Sequence, residues 1–205
     1  MKGKSYACRN ISENRKREGD FYPTPKSLVW CAKDLFHKAI EPGRLITEPC
    51  CAGGQISKAL NDIGYPVIDN DLYSKRKDIM HNDILHGDLD KWCSANVVTN
   101  FPFTIWDDCV MAVLAKKNLE TLITIGRLNY LSTQSRLELP LWNHLKEVWT
   151  FSRYVDYRTE EREDGLFHAG AMASAWFYFT KEEVKNPVIK FVDVQKYAVL
   201  GNINI

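Results

Sequence analysis

The chain has 205 residues, 45% hydrophobic and 26% charged, with a formal net charge of +1. That length suits one well-cored domain and is short for two, and the near-neutral charge excludes a global electrostatic footprint for nucleic acid. No apolar run is long enough to span a bilayer and the polar, basic N-terminus lacks a signal-peptide core, so no membrane partner is expected and the cytoplasm is the expected compartment.

Cys8, Cys31, Cys50, Cys51, Cys93 and Cys109 form no Cys-x-x-Cys pair and have no nearby histidine at zinc spacing. They read as reduced, mostly structural thiols, and no metal is expected. Lys2, Lys4, Arg9, Arg15, Lys16 and Arg17 make residues 1–19 basic without apolar periodicity. This is either a flexible arm that can neutralise phosphates or a solvated tail. Residues 20–205 then read as a single domain.

Phe21-Tyr22-Pro23-Thr24-Pro25 is extended, because each proline pushes its predecessor out of the α region. Thr24 and Pro25 fit the N-cap and first position of a helix over residues 26–40, which Pro42-Gly43 breaks. Residues 44–47 read as a strand, 56–63 as a helix, 67–70 as a second strand and 78–81 as a third. Residues 95–99 form a fourth, followed by a helix over 104–119 and a strand over 121–125. Strands alternating with helices predict a mainly parallel sheet covered on both faces, a Rossmann-like doubly wound α/β fold. Residues 147–154 and 174–180 are rich in aromatic and β-branched residues and predict an antiparallel hairpin at one sheet edge. The charged loop between them, residues 156–172, has a length that is usually functional or disordered.

Four features fall at successive strand ends, where open α/β sheets bind ligands. Glu48-Pro49-Cys50-Cys51-Ala52-Gly53-Gly54 joins the first strand to a helix. Its glycines allow close backbone approach, whereas its leading carboxylate and missing Gly-Lys-Ser/Thr ending speak against phosphate and for a nucleoside. A tight βα turn is the plain alternative. Asp71, just past the second strand, is placed to take both hydroxyls of a ribose, in preference to Asp69, or else it is a turn residue. Asp83 can accept from an adenine amino group while Ile84 packs on the ring, or else it is a turn residue. Asn100-Phe101-Pro102-Phe103 ends the apolar fourth strand with an amide that accepts from an amine and an aromatic ring that stacks on a flat heterocycle.

Taken together, these motifs resemble those of class I S-adenosylmethionine (SAM)-dependent methyltransferases that act on adenine N6 in DNA. Residues 21–25 resemble the aromatic-Pro-Thr-Pro motif, whose ring lies near the methionine part of SAM. Residues 48–54 resemble the acidic-Pro-x-x-Gly-x-Gly cofactor loop, Asp71 and Asp83 match the ribose and adenine carboxylates, and residues 100–103 resemble the catalytic Asn-Pro-Pro-Phe/Tyr. The resemblance extends to small phage and bacterial proteins of this type through Gly126-Arg127-Leu128, Arg136 and residues 175–179, so that it covers roughly residues 20–181. Two departures stand out: Ala52 replaces the first loop glycine, and Phe101 replaces the first catalytic proline.

The resemblance implies SAM as cofactor, held by Phe21, Tyr22, Pro23, Thr24, Glu48, Pro49, Cys50, Gly53, Gly54, Asp71, Leu72, Asp83, Ile84 and Asn100. It implies that Asn100, Phe101, Pro102 and Phe103 carry methyl transfer to a base flipped out of the duplex, with Phe103 stacked on that base. No metal is implied. Alternatives keep the motif and change the substrate to RNA adenine, cytosine N4 or a protein glutamine, or retain binding to SAM or DNA without turnover. No segment is long enough for a separate target-recognition domain. DNA contact is therefore expected from the arm, the segment from Arg127 to Arg136, and residues 157–168, with a short target sequence or a partner supplying specificity. Trp176 and Tyr178 are expected in the core.

Overall fold

A computed structural model of the chain describes residues 24–155 and 172–194. The basic arm, Phe21, Tyr22, Pro23 and the 157–168 loop lie outside the described residues. Helices α1 (Lys26–Trp30) and α2 (Lys33–Ala39) lead into strand β1 (Ile46–Glu48). Helix α3 (Gln55–Asp62), strand β2 (Val67–Asp69), the short helix α4 (Leu89–Trp92) and strand β3 (Asn96–Thr99) follow. Helix α5 (Trp106–Leu114) and strand β4 (Thr121–Arg127) come next, then three 3-10 turns and strands β5 (Leu145–Phe151), β6 (Ser174–Thr180) and β7 (Val188–Val192).

The seven strands form one sheet in the order β2-β1-β3-β4-β6-β5-β7. Strands β2, β1, β3 and β4 are mutually parallel, β6 runs against both β4 and β5, and β7 is parallel to β5. This is the expected mixed α/β architecture with an antiparallel C-terminal pair. Alternate strand residues feed two cores, as the pleat requires. Val98, Ile123, Ile125 and Trp176 face Leu28, Phe36 and Leu60 on one side. On the other side Val97, Leu122, Phe177 and Phe179 face Trp106, Val110 and Val113. Helix α3 presents Ile56, Ala59, Leu60 and, just past its end, Ile63 at helical spacing, and all four are buried.

Four expectations need correction. The helix expected over residues 26–40 is two helices, because the Leu28 carbonyl is taken by the Trp176 indole at 2.8 Å and the Cys31 thiol at 3.2 Å. The Ala32 amide turns instead to the Val29 carbonyl, and the helix breaks there. The strand expected at residues 78–81 is a single bridge between Asn70 and Met80. Beyond it the Asn70 side chain imitates a strand, with Oδ1 accepting from Asn82 N at 2.7 Å and Nδ2 donating to the Asn82 carbonyl at 3.0 Å. The helix expected to reach residue 119 stops at Leu114, where Lys181 Nζ donates to the Leu114 and Lys116 carbonyls and caps the negative helix end. The β5–β6 pair is not at the sheet edge, since β7 lies outside it. Trp176 and Tyr178 are in the core as expected.

Candidate active site

The carboxyl ends of the four parallel strands β2, β1, β3 and β4 share one rim of the sheet. The loop after β1 turns back through left-handed residues, Gly54 at φ 76° and, where the resemblance expects glycine, Ala52 at φ 48°. Gly54 N–H donates to the Cys51 carbonyl at 2.6 Å, and its own carbonyl receives Lys58 N–H at 3.0 Å to start α3. A side chain at Gly54 would meet only the movable end of Arg76, at Nη1 2.8 Å away, so it is the left-handed φ that calls for glycine. Cys51 N–H bonds to the Asn70 carbonyl and Asn70 Nδ2 to the Pro49 carbonyl, both at 3.0 Å, which locks the loop to the end of β2.

Asp71 is held by three amides. Oδ2 accepts from Ala52 N at 2.9 Å, and Oδ1 accepts from Tyr73 N and Ser74 N, each at 2.9 Å. The carboxylate therefore ties the glycine loop to the turn after β2 and keeps a fixed orientation, with lone pairs left for a further donor. Leu72 beside it is exposed. Asp69 points elsewhere: Oδ2 pairs with Arg76 at 2.7 Å and Oδ1 meets the Ser57 hydroxyl. That hydroxyl also meets Glu48 Oε2, which takes Ser57 N–H at 2.9 Å. One hydroxyl has one proton, so a second proton must sit on one of the two carboxyls. Glu48, the more deeply buried of the two, holds it. Glu48 is only 1% exposed. Burial, helped by the Asp69 and Asp71 charges, lifts its carboxyl to about 8 despite the Ser57 hydrogen bonds.

Asp83 closes its own turn, with Oδ1 accepting from Leu85 N at 2.8 Å and His86 N at 3.2 Å, and Oδ2 facing His86 Nδ1 at 2.9 Å. Burial pushes this carboxyl up, but the His86 ring and the two amides outweigh it and leave it below the ordinary range. Ile84 is buried in the second core, and the half-buried Cys50 packs against that core. Burial also pushes up the thiols, to about 12 at Cys51 and about 11 at Cys93, and the five described cysteines are unpaired. Among the described residues no group of three or more metal-ligating side chains occurs.

The Asn100–Phe103 turn is pinned on both faces of the sheet. Phe101, 1% exposed, enters the core against α5, and Phe103, 5% exposed, enters the opposite core. The Tyr130 hydroxyl donates to the Phe103 carbonyl at 3.1 Å. Asn100 is 9% exposed, and its Nδ2 donates to Thr24 Oγ1 at 3.1 Å. Thr24 is thus not the N-cap expected of it. The α1 cap position falls on Pro25, and the hydroxyl aims the asparagine amide instead. With Nδ2 occupied, Asn100 Oδ1 is buried and without a partner. Arg127, the last residue of β4, lies with its guanidinium carbon 4.8 Å from the Phe103 ring centre. Its Nε is also buried and unpaired. Arg136 is engaged by Asp107 through Nε at 2.8 Å and covers the Tyr130 ring at 4.1 Å.

Of the residues expected to form the site, those of β1, β2, β3 and their loops converge on one rim. Sequence reasoning missed Ser57 and Arg76, which hold the carboxylates, the side-chain role of Asn70, which ties the loops after β1 and β2 together, and the unpaired Arg127 Nε. Serine one turn into α3 and asparagine between two aspartates are weak signals by themselves.

No protein-family model matches the chain, and no curated protein matches it. Several solved structures share its fold. A proposed class I SAM-dependent methyltransferase from Listeria monocytogenes superposes with TM-score 0.58 at 12% identity, covering 94% of this chain and 71% of that one. A proposed RNA methyltransferase from Pyrococcus horikoshii gives 0.53 at 15% identity over 78% and 87% of the two chains. The methyltransferase subunit of a type I restriction-modification system from Streptococcus thermophilus gives 0.54 at 13% identity, over 86% of this chain and 48% of that subunit. The likeness is one of fold, and that fold is the class I methyltransferase fold.

Proposed function

We propose that this protein transfers a methyl group from SAM to an exocyclic amine, and that the amine is adenine N6 in DNA, presented by base flipping. The observation that carries the reading is Asn100 Oδ1, a buried acceptor without a partner at a strand end, aimed by Thr24. An exocyclic amine is a poor nucleophile because its lone pair is delocalised into the ring. Hydrogen bonds from the amine to Asn100 Oδ1 and to the Phe101 carbonyl draw the nitrogen toward tetrahedral geometry and concentrate that lone pair. Positioning and fixed dipoles then supply most of the rate, with no covalent intermediate on the protein.

The residues of the β1–β2 side fit the cofactor. Asp71, held by three amides, presents carboxylate oxygens to a ribose diol, and the loop lacks the lysine that a phosphate would need. Bound SAM supplies an activated methyl on a sulfonium centre. Glu48, Asp83, Ile84 and Leu72 complete the lining in this reading. The fold shared with SAM-dependent enzymes supports the chemistry, and the restriction-modification subunit among them supports DNA. Extruding the base costs a few kcal/mol, and about 1–3 kcal/mol of aromatic stacking offsets part of it.

The test is radiolabelled SAM incubated with DNA, RNA and protein, followed by nucleoside and amino-acid analysis. Label in N6-methyladenine of DNA is expected. Label confined to RNA or protein moves the substrate, and cofactor binding with no transfer to any of them makes the chain a binding protein.

A further inference from the structure

Three buried polar atoms at the ends of adjacent strands lack hydrogen-bond partners, Thr99 Oγ1, Asn100 Oδ1 and Arg127 Nε, and the last two are complementary. Asn100 Oδ1 follows β3 and is an acceptor; Arg127 Nε ends β4 and is a donor. The two strands are paired in parallel, with Thr99 opposite Thr124, so both residues leave the sheet at the same rim. Phe103 links them, three residues after Asn100 and directly under the Arg127 guanidinium. Among the described residues Arg127 Nε has no hydrogen-bond partner, whereas Nε of the neighbouring Arg136 is engaged by both carboxylate oxygens of Asp107. Burying such groups unpaired costs about 1–3 kcal/mol each, so a site that keeps both is matched to a ligand that supplies both partners.

An acceptor beside a donor recognises an amine beside a lone pair. Adenine presents that edge twice, with N6–H flanked by ring nitrogens N1 and N7. We infer that Arg127 is a specificity residue of this site, its Nε–H donating to the ring nitrogen next to the amine that Asn100 Oδ1 receives. The inference rests on the proposed adenine chemistry and adds a second point of recognition. With two contacts the base plane is fixed, and the amine is held at one angle to the incoming methyl. A phosphate contact by the same arginine would instead use its charge and its terminal nitrogens.

The experiment compares wild type, Arg127→Met and Arg127→Gln on chemically synthesised random-sequence DNA carrying 2′-deoxyadenosine, 7-deaza-2′-deoxyadenosine or 1-deaza-2′-deoxyadenosine at every adenine position, so that no target sequence need be known. Methionine places a methyl where Nε stands, and glutamine places an amide nitrogen there without the charge. Wild type is expected to lose roughly tenfold or more in kcat/KM on one of the two analogues. Arg127→Met should lose as much on natural DNA and treat that analogue and adenine alike, and Arg127→Gln should recover both the rate and the discrimination. Unchanged SAM affinity in Arg127→Met verifies that the variant is folded. Wild type that methylates both analogues as well as adenine, or Arg127→Met that still discriminates, overturns the inference and leaves the adenine reading standing. Absence of transfer from wild type to natural DNA overturns that reading, and the inference with it.

Discussion

On the β1–β2 side of the rim, Glu48, Asp69, Asp71 and Asp83 all have partners inside the protein, from backbone amides to Ser57, Arg76 and His86. On the β3–β4 side, Thr99 Oγ1, Asn100 Oδ1 and Arg127 Nε are buried with none. Both sides carry buried polar groups on the same sheet, and the difference bears on what each can do. A carboxylate held by amides is oriented before any ligand arrives and is stable without one. An unpaired buried atom raises the energy of the empty protein and lowers it only when a partner enters. In the proposed reading, cofactor recognition on the first side is therefore preorganised, whereas recognition on the second is completed by the substrate.

The largest effect tests what holds the substrate side in place. In the resemblance a proline stiffens the position of Phe101 through its fixed φ. Here the same turn is held by burying Phe101 in one core and Phe103 in the other. Phe101→Ala should cost about 3–5 kcal/mol in urea unfolding. Phe101→Pro should not recover it, because a pyrrolidine ring leaves most of the cavity empty. A loss below about 1 kcal/mol on the same scale would mean that the turn is held by something else.

Asn100→Ala divides the two sides functionally. Transfer should fall by roughly 10²–10³, the usual consequence of removing one oriented dipole from a reacting centre. SAM affinity by calorimetry should stay near wild type, since Asn100 donates only to Thr24 among the described residues. A fall in cofactor affinity with turnover preserved would erase the division.

Glu48 supplies a pH test on the cofactor side. Its carboxyl rises from an ordinary 4.5 to about 8 on folding, so the folded protein holds a proton that the unfolded chain releases. Stability from this group is complete below pH 4.5 and is lost as pH rises through 8, at up to about 1.4 kcal/mol per pH unit. Glu48→Gln keeps an acceptor for Ser57 and has nothing to titrate. Denaturation curves at pH 5, 6.5 and 8 should show the variant gaining on wild type at each step. A constant difference would mean that Glu48 does not titrate in this range.

The rim was legible in the sequence wherever one residue type at one strand end implies its own chemistry. Glu48, Asp71, Asp83 and Asn100 are of this kind, and so is the alternation of β1 to β4 with helices. What was not legible depends on partners distant in the chain. Thr24 looks like a cap beside Pro25, and only the approach of Asn100, 76 residues on, gives its hydroxyl another use. Asn70 reads as the last residue of the second strand until its amide is seen replacing a missing strand. Strand β7 escaped because Val188, Ile189 and Phe191 are all exposed on the sheet edge and break the alternation that marks a half-buried strand. Arg127 reads as any arginine near a strand end, since an absent hydrogen bond leaves no trace in a sequence.

The smallest expected effect concerns Ala52, where the cofactor side carries strain. Its φ of 48° is left-handed, and an L-residue with a Cβ is destabilised there by about 1–2 kcal/mol. Glycine removes that penalty but widens the unfolded ensemble, which returns roughly 0.5–1 kcal/mol. Ala52→Gly should therefore be more stable by about 0.5–1 kcal/mol, or roughly 1–4 °C in Tm for a chain of this size. The strain is maintained because the Ala52 amide must reach Asp71 Oδ2 from that conformation. The variant keeps the amide, so its SAM affinity should equal that of wild type while its melting point rises. A lower melting point would mean that the Ala52 methyl packs well enough to outweigh its backbone. Weaker SAM binding with a higher melting point would mean that the strained loop, and not Asp71 alone, orients the cofactor side.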